Sequence, residues 1–178
     1  MPESPGLLIL VGPGRAGRAL VRSWKGAGGD VVVIARDAIA AERSGLTASV
    51  EVRPQDDERS LTGDFLVVAV PDDSIAKVAA SLAQRAACRF SFHLSGALSS
   101  SVLAPLSPRS AVGSLHPLRA FTGAPDESWE GSFVAVEGDE DAARAGSELC
   151  RRIAARPRRL AAGDKSLYHS AATLAAGG

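Results

Sequence analysis

The apolar run Leu7–Val11 is followed at once by Gly12-Pro13-Gly14-Arg15-Ala16-Gly17, then by an amphipathic stretch over Arg15–Ala27 and a second apolar run, Val31–Ala35. No other feature restricts the fold so far. Three glycines at this spacing, between a strand and a helix, describe the first turn of a βαβ unit. Gly12 allows a tight turn, Gly14 a close approach to the backbone, and Gly17 the packing of helix on strand. Amides at such a helix start lack intrahelical acceptors and favour an anion, so a dinucleotide's pyrophosphate is the expected ligand. Pro13 has no N–H to give. Gly12, Pro13, Gly14, Arg15, Ala16 and Gly17 are therefore expected to form a cofactor-binding loop.

The pattern continues along the chain. Apolar runs of strand length at Phe65–Val70, Arg89–Leu94, Ala111–Leu115 and Phe133–Val136 alternate with helical stretches at Asp73–Gln84, Leu98–Leu106 and Glu140–Ala154. Ile75, Val78, Ala79 and Leu82 share one helix face, with Asp72, Asp73 or Ser74 available to cap it. Only 8 of the residues are aromatic against 32 alanines, so small side chains must supply much of the core, which suits helices laid tightly on a sheet. The expected fold class is α/β, a Rossmann-type doubly wound and mostly parallel sheet over residues 1–160. A last short strand is expected near Arg156–Leu160. Residues 161–178 read as the start of a C-terminal helical domain, with an apolar face carrying Leu167 and Leu174. Between Pro117 and Glu130 the chain has no periodicity and reads as a long ordered loop.

The end of the second strand selects the cofactor. An acidic residue there binds the ribose 2′-hydroxyl of NAD, whereas arginine suits the 2′-phosphate of NADP. The chain reads Ala35-Arg36-Asp37, so Arg36 favours NADP and Asp37 keeps NAD possible. Arg36 also argues against S-adenosylmethionine, which uses a related glycine loop. Val70-Pro71 ends the third strand on the carboxyl edge, where open α/β sheets bind ligands, and is expected to face the cofactor. On the same edge fall His93-Leu94-Ser95-Gly96 and Ser114-Leu115-His116-Pro117, with His116 the better placed histidine. The three histidines lack the short helical spacing that seeds a zinc site, so no metal is expected.

Charge and cysteine usage narrow the partners. Twenty basic residues balance twenty acidic ones with no block of one sign, which excludes a nucleic-acid surface as the expected partner. No apolar stretch approaches the roughly 20 residues of a membrane span. Cys88 and Cys150 form neither a disulfide framework nor a metal motif, and a reducing cytoplasm is the expected location.

The ordered series GPGRAG, VAVPDDSI, HLSGALSS, GSLHPLRAF, FVAVEGD and LYHSAATLA resembles the Rossmann-like oxidoreductases that carry a C-terminal helical domain of unknown function. They are similar in turn to the group of pyrroline-5-carboxylate reductase, prephenate dehydrogenase and the coenzyme F420-dependent NADP reductases. The resemblance implies NAD(P) binding, hydride transfer to or from a small alcohol, imine or related metabolite, and a homodimer made by the helical domain. It also implies that His116 handles the hydroxyl proton and that Ser95 assists it. An NADP-binding regulatory module without catalysis is the alternative expectation.

Overall fold

A computed structural model describes residues 5–43, 46, 50–161, 163–165 and 168. In chain order its elements are β1 (Leu7–Val11), α1 (Arg15–Gly26), β2 (Asp30–Ala35), α2 (Ala38–Arg43), β3 (Glu51–Pro54), β4 (Leu61–Val68) and α3 (Asp72–Leu82). There follow β5 (Ala86–His93), a 3-10 helix (Ser100–Leu106), β6 (Ala111–Pro117), β7 (Phe133–Gly138), α4 (Glu140–Arg152) and β8 (Arg156–Arg159). The strands form one sheet in the order β3-β2-β1-β4-β5-β6-β7-β8. Pairing is parallel from β3 through β6. β7 turns antiparallel to β6, and β8 runs parallel to β7.

Strand alternation sends Leu8, Leu10, Val33, Phe65, Val67, Phe92, Leu115 and Val136 to one face, under α1 and α4. Ile9, Val11, Ile34, Leu66 and Val68 go to the other, under α3 and the 3-10 helix. Burying each such side chain contributes about 1.5–3 kcal/mol before entropy is set against it. Trp24, from α1, is fully buried edge-on to Phe65, with ring centroids 5.4 Å apart. The loop after β6 lies along α1: Trp129 donates its Nε1–H to Ala16 O (3.0 Å) and its amide to Ser23 Oγ (2.8 Å). Glu127 closes the same loop by accepting the amides of Thr122 and Gly123.

Several local expectations are corrected. α2 and β3 were not legible, because α2 has six residues and the edge strand β3 has one aliphatic residue between Glu51 and Arg53. Residues 100–106 wind as a 3-10 helix with Pro105 inside it, where an α-helix would lose a hydrogen bond. Asp72, Asp73 and Ser74 make no side-chain cap on α3, whose N-cap is Pro71. Of the expected C-terminal helix, Leu167, His169 and Leu174 lie outside the described residues. Among the described residues no helix is long and apolar enough to cross a membrane.

Candidate functional site

Strand order reverses between β1 and β4, since the chain leaves β1 toward β2 on one side and later returns to β4 on the other. A crevice opens at the carboxyl ends of such a pair. It is a cleft of about 640 Å³, lined by Gly12, Pro13 and Gly14 after β1, by Arg36 and Asp37 after β2, and by Val70 and Pro71 after β4. Arg18, Gln55, Ser74, Lys77 and Ser81 add polar groups to its wall. Thus six of the nine residues expected to bind the cofactor line one cavity. Arg15, Ala16 and Gly17 form the first turn of α1 beside it.

The glycines divide by what the fold asks of them. Gly12 has φ +87°, and a Cβ there would lie 2.6 Å from Val70 Cγ1 and 2.9 Å from Ala69 O. A Cβ at Gly17 would meet Gly12 O at 3.0 Å and Leu10 Cδ2 at 3.1 Å, so it is helix packing that requires that glycine. At Gly14 the nearest atom would be Ala69 O at 3.8 Å, an ordinary contact. Packing leaves room for a side chain at Gly14, so the open space above it is available to a ligand. Gly14 is also the N-cap of α1, without a side-chain cap and with no acidic residue in the first turn. The positive end of the helix dipole therefore has no acidic side chain of its own first turn to answer it.

At the β2 end, Asp37 Oδ1 accepts the Ala40 amide at 2.9 Å and caps α2. One oxygen of this exposed carboxylate is thus engaged in the fold. Arg36 stands exposed on the same cleft, which Lys77 of α3 also lines. Lys77 was missed in the sequence because a lysine on a helix reads as a solvated charge.

The residues expected to act on a substrate lie beyond the cleft, toward β5 and β6. Ser95 is buried; its hydroxyl donates to Asp72 Oδ2 (2.8 Å) and accepts the amides of Ala97 (3.1 Å) and Leu98 (3.0 Å). Through these bonds it ties the turn after β5 to the start of α3. His116, in β6, is half-buried, with Nδ1 3.2 Å from Tyr168 Oη and the two rings edge to face. His93, the last residue of β5, is fully buried. Its Nδ1 accepts the Ser95 amide (3.1 Å), so the proton sits on Nε2, which donates to Ser99 O (3.2 Å). Burial, then the nearby Lys165 charge, pulls its pKa from 6.5 down to about 4.

A group the sequence did not reveal surrounds it. Glu137, at the end of β7, accepts Ser100 N (2.9 Å), Ser100 Oγ (2.8 Å) and Ser114 Oγ (3.2 Å). Lys165 Nζ donates to Ser114 Oγ and lies 3.7 Å from Glu137 Oε2. Period-two alternation in Gly113-Ser114-Leu115-His116 places both polar side chains on one face, the signal that could have found Ser114. Nothing local marks Lys165, which reaches the cluster from beyond β8. Cys88 and Cys150 are free and buried, and burial pushes their thiols up to about 11 and about 12. Neither forms a reactive thiolate near neutral pH.

The family described as a Rossmann-like domain matches residues 6–117, and a domain of unknown function, DUF2520, matches residues 132–177. No curated protein matches the chain. Among solved structures it is similar to a Thermotoga maritima protein at 23% identity and TM-score 0.76, covering 96% of this chain and 63% of that one. A Bacteroides fragilis protein assigned as an NADP oxidoreductase gives 16% identity and TM-score 0.79, over 96% and 66%. Prephenate dehydrogenase from A. aeolicus, solved with hydroxyphenyl propionate and NAD+, gives 14% and 0.69, over 94% and 63%. The chain thus spans 63% of the length of the Thermotoga maritima protein. At these identities the likeness is one of fold. The match over residues 6–117, on the glycine loop and sheet described above, shows that the chain belongs to the Rossmann-like domain family.

Proposed function

We propose that the protein is an NADP-dependent oxidoreductase that exchanges hydride with a small alcohol, imine or related metabolite. One observation carries the reading: a single cleft at the strand switch point is lined both by the uncapped start of α1 and by two cations from other elements, Arg36 and Lys77. The first suits a pyrophosphate and the second a 2′-phosphate. Arg36 after β2, on this cleft, favours NADP over NAD. The similarity to the Bacteroides fragilis protein assigned as an NADP oxidoreductase is in keeping with this reading.

Gly12, Pro13, Gly14, Arg15, Ala16 and Gly17 would hold the pyrophosphate, Arg36 the 2′-phosphate, and Val70 and Pro71 the ring nearer the nicotinamide. When bound, that nicotinamide supplies or accepts hydride. His116, its ring held at Nδ1 by Tyr168 Oη, exchanges the proton of the substrate's hydroxyl or amine. Ser95 serves the same site by fixing Asp72, and with it the turn that carries Pro71.

Fluorescence titration with NADPH, NADH and S-adenosylmethionine tests this. NADPH is expected to bind more tightly than NADH by about tenfold to a hundredfold, the worth of a charge-assisted phosphate contact, and Arg36→Ala to erase the difference. Equal affinities overturn the NADP assignment. Absence of binding by either nicotinamide nucleotide overturns the function.

A further inference from the structure

One row of the sheet, at the carboxyl ends of β1, β4 and β5, runs by strand register through Ile34, Val11, Val68, His93, Ser114 and Glu137. Its first half is apolar, and Ile34 and Val11 floor the nucleotide cleft. Past β4 the row turns polar while staying buried: His93 is 0% exposed, Ser114 1% and Glu137 8%, and Lys165, 5% exposed, reaches the same row. Burying an ammonium and a carboxylate is costly, and such pairs are a poor source of stability. A well-packed apolar row would have served the sheet as well, so the cluster invites a chemical explanation.

Its position supplies one. With the 2′-phosphate at Arg36 after β2 and the pyrophosphate over the glycine loop after β1, a dinucleotide must extend its nicotinamide toward β4 and beyond. Neighbouring strands are about 4.8 Å apart, so β6, with Ser114 and its partner Lys165, lies roughly 10 Å past β4. The polar half of the row therefore begins where the nicotinamide half of the ligand ends. Contacts bridge the two: Pro71 lines the cleft, Asp72 beside it binds Ser95, and the Ser95 amide binds His93.

We propose that Lys165 is a further substrate-site residue, whose ammonium donates a hydrogen bond to the carbonyl oxygen or imine nitrogen beside the carbon that takes up hydride, and so polarises it while His116 supplies the proton. Glu137 and Ser114 are its positioning residues. This rests on the oxidoreductase reading. In the reducing direction the substrate carbon receives hydride with its electron pair, and the C=O or C=N π pair moves to oxygen or nitrogen. That atom forms a new bond to the proton leaving His116, whose N–H bond breaks, while the Lys165 ammonium keeps its protons and holds the developing charge; the neutral imidazole then regains a proton from water. Burial lowers the Lys165 pKa from 10.5 to about 8, against the pull of Glu137 and Asp72, so the group is an ammonium able to donate that hydrogen bond at neutral pH. Glu137, Asp72 and His93 are the ionisable groups that act on it.

The chain has three lysines, Lys25, Lys77 and Lys165, so side-chain NMR of lysine-labelled protein resolves each ammonium. Lys165→Met assigns its resonance; should that variant fail to fold, Lys25→Met and Lys77→Met assign it by elimination. The titration of Lys165 is followed with NADP+ and with NADPH, each shown to be bound by calorimetry on the same sample. The two nucleotides differ at the nicotinamide by one positive charge. A unit charge roughly 7 Å away lowers an ammonium midpoint by about one pH unit. The midpoint is expected to be lower by that amount with NADP+, while Lys25 titrates alike in both. Equal Lys165 midpoints with both nucleotides bound overturn the proposal and leave the oxidoreductase reading standing. If neither nucleotide binds, the reading falls and the proposal with it.

Discussion

His93 sets a pH dependence that can be worked out from its surroundings. The imidazole is fully buried, its Nδ1 accepts the Ser95 amide, and protonating Nδ1 would set N–H against N–H beside the Lys165 ammonium. The folded pKa of about 4 lies below the ordinary 6.5, so between these values the unfolded chain binds more protons and acid favours unfolding. The gap of about 2.5 pH units, at about 1.36 kcal/mol each, comes to about 3 kcal/mol, present above pH 6.5 and lost as pH falls to 4. Urea unfolding of the wild type and of His93→Asn at 25 °C, from pH 7 to pH 4 at fixed ionic strength, reads this directly. The substituted carboxamide can still accept the Ser95 amide but does not titrate. Wild type should be the more stable at pH 7, and its advantage should shrink by about 3 kcal/mol by pH 4. Carboxylates held low by partners, such as Glu127 and Glu140, cancel in the difference. An advantage that stays constant over this range would refute the account of a neutral, doubly bonded imidazole.

Gly14→Val should fold normally, given the 3.8 Å to its nearest neighbour, yet lose NADPH binding in calorimetry; Gly12→Ala, strained at φ +87°, should lower the thermal midpoint. Glu137→Ala leaves the Lys165 ammonium without its carboxylate, and urea unfolding at pH 7 should show a loss of about 3–5 kcal/mol. Lys165 holds its proton less tightly folded (about 8) than unfolded (10.5), so stability carries a term that rises between pH 8 and 10.5. Lys165→Met should remove that rise, again read by urea unfolding.

What the sequence disclosed and what it hid follow from the range of the forces involved. The glycine loop was legible because Gly12, Gly14 and Gly17 act through local backbone geometry, between a strand and a helix that are themselves marked by periodicity. The same holds for α4, whose N-cap Asp139 accepts the Ala142 amide within a single turn. β3 was hidden because its partner β2 supplies the pairing, which alternation within Glu51-Val52-Arg53-Pro54 does not announce. The role of Asp72 was equally hidden, since its hydrogen bond to Ser95 spans 23 positions. Lys165 was the least legible of all: Ser114 is 51 positions away, and only the sheet register brings β5, β6 and β7 into the row that surrounds it.

The central claim is that the cleft between β1 and β4 holds NADP, and a crystal structure of the protein grown with NADPH tests it most directly. The account predicts the pyrophosphate over Gly14 at the start of α1, the 2′-phosphate between Arg36 and Lys77, and the nicotinamide past Pro71 toward Ser95. A dinucleotide lying elsewhere on the protein, or one in this cleft with its adenosine turned away from Arg36, would contradict it.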